Sequence, residues 1–104
     1  MPEMSFSLSR YDGPAVVNGV RFTEVHLREH ADSVGDGVLK GWEGTAEVAR
    51  SEAPEVHPDW ALPGPVAVQL PEGGSGNAYI HGMTLTDNRY WEVNLSGTGP
   101  SPMA

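Results

Sequence analysis

The stretch Ala15-Val16-Val17-Asn18-Gly19-Val20-Arg21-Phe22 decides the fold. Two short apolar segments rich in β-branched residues meet at Asn-Gly, the dipeptide that best tolerates positive φ at both central positions of a type I′ turn. Such a turn matches the twist of a β-hairpin, so the stretch predicts two antiparallel strands closed by Asn18 and Gly19. Further along the second strand, apolar residues fall on Phe22 and then on Val25 and Leu27. The switch from even to odd positions predicts a β-bulge near Thr23-Glu24, because one extra residue shifts the side-chain phase.

Working outward, Asp12-Gly13-Pro14 has the composition of a turn, and before it Phe6 and Leu8 alternate with polar neighbours. Residues 1–10 are therefore expected to form an edge strand or an N-terminal arm. Downstream, Gly35-Asp36-Gly37 marks the next turn and opens a strand over residues 38–49. Gly41 and Gly44 flank Trp42 in that strand. Strand glycines mark bulges or close approach of another backbone, so Trp42 is expected to pack over a neighbouring strand. Residues 50–64 contain Pro54, Pro58 and Pro63 and predict an irregular loop, with one helical turn over residues 58–62. Val66, Val68 and Leu70 alternate in the following strand, and residues 72–76 form a flexible loop. Asp87-Asn88 then joins strands over residues 77–85 and 89–95, the second of which places Trp91, Val93 and Leu95 on one face. Residues 98–104, rich in Gly and Pro, are expected to be a flexible tail. The spacing of these segments predicts an all-β fold, a small antiparallel barrel or sandwich of about six strands. At 104 residues it is a single domain with one core.

Composition narrows the function classes. The 14 acidic and 6 basic residues leave a net charge of −8, and the basic residues are scattered. A phosphate-tracking surface needs clustered Lys and Arg, so neither nucleic acid nor an anionic membrane is an expected partner. No apolar run approaches the roughly 20 residues that span a bilayer. With no Cys there is no disulfide framework and no thiol chemistry. Met1-Pro2-Glu3-Met4 shows no basic region leading into an apolar stretch, so a cytoplasmic location is expected.

Several residue patterns resemble chemical motifs without the context that the chemistry needs. His26-Leu27-Arg28-Glu29-His30 spells H-x-x-E-H, which binds zinc when both imidazoles share one face of a helix. Here the segment continues a strand, where residues four apart stand about 13 Å from each other, too far for one metal. Gly73-Gly74-Ser75-Gly76 lacks the Lys and following helix of a phosphate-binding loop. Asp32 and Asp36 lack the alternating oxygen ligands and terminal Glu of a calcium loop. His57 is isolated, and no Ser lies in a G-x-S-x-G elbow. No catalytic set, metal site or cofactor is therefore expected. The residues that remain are aromatic. Tyr79, His81, Met83 and Tyr90 are candidates to line the interior of a barrel holding a small apolar ligand. Trp60, in the Pro-rich loop, is the candidate partner-facing residue.

Tyr11-Asp12-Gly13-Pro14-Ala15-Val16-Val17, Val25-His26-Leu27, a Gly-Trp pair and the closing Trp91-Glu92-Val93-Asn94-Leu95-Ser96-Gly97-Thr98-Gly99-Pro100 together resemble a small actinobacterial all-β domain of unknown function. Its members occur alone or fused behind flavin-dependent monooxygenases. Where they carry Trp-Tyr-Gly, this chain has Gly41-Trp42-Glu43-Gly44. The resemblance spans residues 11–102 and implies a β fold and an accessory role, with no catalytic residues to carry over. The expectation is thus a non-enzymatic module acting through protein–protein contact. A small-molecule-binding barrel or minor enzyme, and a structural subunit of a homo-oligomer, are the alternatives; the oligomeric state is open.

Overall fold

The structure, a computed structural model, describes residues 5–35, 37–60 and 64–103, with the backbone alone for residues 5–8 and 34. Six strands follow one another: β1 (Ser5–Val17), β2 (Val20–Val34), β3 (Gly37–Ala49), β4 (Val66–Gln69), β5 (Ser75–Thr86) and β6 (Tyr90–Thr98). A short 3-10 turn, Arg50–Glu52, follows β3. The strands pair antiparallel in the order β1-β2-β3-β6-β5-β4, and β4 returns to β1, so one sheet closes into a ring. Closure is narrow, since among the described residues β4 pairs with β1 only at Val16 and Val17.

The local chemistry explains the corners. Asn18 and Gly19 take φ of 50° and 80°, as the Asn-Gly hairpin requires. Asp87 and Asn88 are both left-handed, at 52° and 57°, and Arg89 N–H donates to Thr86 O to close the β5–β6 hairpin. Between Gly13↔Val25 and Ala15↔Phe22, Pro14 alone faces Thr23 and Glu24. That is the bulge expected from the phase switch, and it lets Phe22 and Val25 both turn inward, fully buried.

Asp12-Gly13-Pro14 does not turn the chain as its composition suggests. It lies within β1, where Pro14 sits at the bulge and so forfeits no regular ladder bond. Tyr11 folds over Gly13 and donates its hydroxyl to Pro14 O, occupying the space that a side chain at Gly13 would need.

Phe22, Leu27, Leu95, Val17, Val25, Val48, Val68 and Val93 fill the ring interior, each fully buried. At about 1.5–3 kcal/mol per fully buried large apolar side chain, this cluster supplies the main drive for folding. Both ends are sealed by tryptophans. Toward the β2–β3 turn, Trp42 is buried against Gly97, which the β3–β6 register places opposite it; any side chain at Gly97 would collide with the indole. Trp42 therefore packs over a neighbouring strand, and the glycine that admits it is on β6. At the other end, the loop after β3 folds back across the ring, burying Ala53 and Val56.

The C-terminal segment is part of this body. Residues 99–103, expected as a flexible tail, lie against β5 with Ser101 and Pro102 buried. Gly74 and Gly76 leave the space that the Pro100–Pro102 backbone occupies. The facing of Phe6 and Leu8, the Asp36 position of the β2–β3 turn, the 61–62 end of the expected helical turn and Ala104 lie outside the described residues.

The long strands carry the sheet beyond the ring. β6 pairs with β3 only from Glu43 onward, while β1, β2 and β3 remain paired up to Ser5↔Asp32 and Val34↔Gly37. A three-stranded ribbon of residues 5–7, 30–34 and 37–41 thus projects roughly 17 Å past Trp42, at about 3.4 Å per residue. The molecule is accordingly elongated, 49 × 26 × 24 Å.

Candidate binding surfaces

The four residues expected to line an interior cavity do not come together. Tyr79 and Tyr90 point outward, at 49% and 44% exposure, and His81 is exposed. Met83 alone of the four packs against the core. Tyr79 alternates with inward Ala78 and Ile80, and Tyr90 with inward Trp91, so both face out; a bulge separates Met83 from them. Ile80 pairs with Leu95 and Gly82 with Asn94, which leaves His81 as the extra residue and reverses the facing of β5 beyond it. Tyr79 and Met83, four apart in sequence, are thereby on opposite faces. The interior that they were to line is filled by the apolar cluster. Tyr90 and His81 line separate concavities on the outside.

Trp60, the candidate partner-facing residue, lies partly packed in the loop that closes the ring. Its ring lies 5.9 Å from that of Phe22, and its backbone carbonyl accepts a hydrogen bond from Asn18 Nδ2 at 3.2 Å. It is half-buried as part of the lid over the ring. The loop had to cover Phe22, and the large aromatic in it was the residue suited to do so.

The outer face of β2 carries the two histidines of the H-x-x-E-H segment, each engaged separately. His26 Nδ1 is 2.6 Å from Asp12 Oδ1, and Arg10 Nε donates to Asp12 Oδ2 at 2.9 Å. The His26 hydrogen bond, reinforced by the charge of Arg10, holds the Asp12 carboxyl below its ordinary range despite an opposing desolvation effect. His30 lies near Asp32 and Glu43, at 3.6 and 3.4 Å. Among the described residues no group of three or more His, Cys, Asp or Glu is placed to hold a metal ion.

Two surfaces missed by the sequence reading stand out. One is the ribbon. Within the ring β3 alternates, with Trp42, Ala46 and Val48 buried, but Gly37, Val38, Leu39 and Lys40 are all exposed. Val38 and Leu39 are 61% and 65% exposed, and as successive strand residues they present apolar surface on both faces. The other is a groove of about 890 Å³ between the loop after β3 and the β5–β6 hairpin. The signals for both were in the sequence: an adjacent Val-Leu pair breaking the strand alternation, and an Arg at each of two turns, Arg50 opening the one after β3 and Arg89 closing the one between β5 and β6. Neither becomes a surface until the register is known.

No family model, curated protein or solved structure matches the chain. No helix among the described residues is long and apolar enough to cross a membrane.

Proposed function

We propose that the chain is a protein-binding module that engages its partner through the projecting ribbon. The observation that carries this reading is the run of residues 37–40, exposed on both faces and, along the β3 edge, left unpaired by β6. Apolar side chains there contribute nothing to the core, so their cost in solvation finds its reason in contact with another chain. An open edge also presents a row of N–H and C=O groups ready to receive one more strand. The partner of matching chemistry is an extended segment that adds antiparallel or parallel to residues 37–41. It lays apolar side chains beside Val38 and Leu39 and sets an acidic one next to Lys40, since opposite charges across strands are favourable. An accessory role of this kind also agrees with what the resemblance over residues 11–102 implies.

The test is a photo-crosslinking amino acid placed at Leu39, with Glu92 on the outer face of β6 as control, in cells that naturally express the protein. The expected result is one dominant adduct from Leu39, absent from Glu92, and lost when Val38 is also changed to Glu. An adduct of twice the chain mass would replace this reading with a homo-oligomer joined at the same edge. No discrete adduct from Leu39 would refute a ribbon interface.

A further inference from the structure

The end of the ring opposite the ribbon has a different chemistry, and we infer that its groove is a binding site for a small organic anion with a flat apolar body. The groove is bounded on one side by the loop after β3 and on the other by the tip of the β5–β6 hairpin. The two walls are stitched together: Arg50 N–H donates to Arg89 O at 2.7 Å, and Arg50 Nη1 donates to Asn88 Oδ1 at 2.8 Å. The concavity is thus set by backbone and side-chain bonds of the folded chain, as pre-formed ligand sites are. Its volume, about 890 Å³, is that of small-molecule sites.

The lining separates into two parts. Val56, Leu85 and Trp91 provide apolar surface; the indole N–H of Trp91 is itself buried, with no partner among the described residues, and serves as a reporter at the groove wall. Arg50 and Arg89 provide positive charge, and among the described residues no Asp or Glu lines the groove although the chain has 14 of them. Arg89 has no side-chain partner among the described residues, and Arg50 spends one donor on Asn88, so guanidinium N–H groups remain for an anionic head. His57 Nδ1 accepts Asp59 N–H at 3.3 Å, which places the proton of a neutral imidazole on Nε2 as a further donor at the groove. In a molecule of net charge −8, a concavity lined by two arginines and, among the described residues, no carboxylate is selective for anions.

The inference is independent of the ribbon and is tested on the free protein. In ¹⁵N-labelled protein, 2-naphthoate is titrated while the Trp91 indole and the amides of residues 50–57 and 85–91 are followed. Two companions separate the contributions: 2-naphthamide keeps the body and loses the charge, and acetate keeps the charge and loses the body. The expected result is saturable shifts centred on those residues, with the amide binding about tenfold more weakly, the effect of a charge-assisted contact. Acetate is expected to give no saturation. Arg89→Gln should weaken 2-naphthoate about as much as removing the ligand charge does, while Arg28→Gln on the outer face of β2 leaves it unchanged. Equal binding of acid and amide, an unaltered Kd in R89Q, shifts centred elsewhere, or none at about 5 mM (several times a millimolar Kd) would each overturn the assignment.

Discussion

β3 passes through both parts of the molecule, and the two halves of that one strand behave differently. In the ring, residues 41–49 bury every inward-facing large side chain; in the ribbon, residues 37–40 bury none. The strand conformation continues unbroken from one half to the other, and what changes is the company it keeps. In the ring β6 completes the sheet and the opposing strands cover one face. In the ribbon β3 pairs, among the described residues, with β2 alone. Stability should therefore reside in the ring and adaptability in the ribbon, which is the division expected of a scaffold that presents a contact element.

The comparison can be broken first at the seal between its halves. Trp42→Ala removes the indole from Gly97 and should lower stability by about 3–5 kcal/mol, the range for large core truncations. Denaturant unfolding reads this directly, and a loss below about 1 kcal/mol would mean that the indole does not close the ring. Gly97→Val should cost about 1–3 kcal/mol by overpacking. Combined with Trp42→Ala it should cost less than the sum, because the new side chain enters space the indole has left.

Gly74→Ala probes whether the C-terminal segment belongs to the ring. The added methyl group meets the Pro102 backbone, and a loss of about 1–3 kcal/mol is expected, with Met103 released as seen by faster amide exchange. Unchanged stability would return residues 99–103 to the status of a tail.

In the ribbon the expected effects are small. Leu39→Ala and Val38→Thr should change stability by no more than about 0.5 kcal/mol, as for surface positions, and a larger loss would show that the tip is packed in solution. The smallest effect is at the outer face. With His26→Asn, the Asp12 pKa should rise toward its ordinary value, followed by carboxyl-carbon NMR. The folded-state value is lowered, so any stabilisation from the pair is present above the ordinary Asp range and is lost as the pH falls through the folded value. An unmoved Asp12 would mean the 2.6 Å contact is not kept in solution.

The sequence announced those features whose cause is local. Asn18-Gly19 sets its own turn, and the shift from Phe22 to Val25 betrays the bulge beside it, because hairpin φ values and side-chain phase are written in a few neighbouring residues. Trp91, Val93 and Leu95 share the inward face for the same reason. What depends on a partner strand stayed hidden. Asp12-Gly13-Pro14 has turn composition, yet it is held straight by its pairing to β2. The bulge at His81 shows only in the pairing of Ile80 with Leu95 and Gly82 with Asn94, and it parts Met83 from Tyr79, while Tyr90 on β6 faces outward regardless of it. Gly97 carried a usable sign: it continues the inward series of Val93 and Leu95, and an inward glycine in a strand calls for a large side chain opposite. The ribbon and the groove required the full register, since each is made of residues whose neighbours come from distant parts of the chain.

Native-state hydrogen exchange tests the division most directly. Amides of residues 22–27 in β2 should exchange only through global unfolding. Those of residues 31–33 and 38–40, in the same pair of strands, should exchange through local opening with a free energy lower by about 2 kcal/mol or more. Equal protection along the full length of β2 would contradict the account, because ribbon and ring would then be one cooperative unit and the exposed tip no more adaptable than the core.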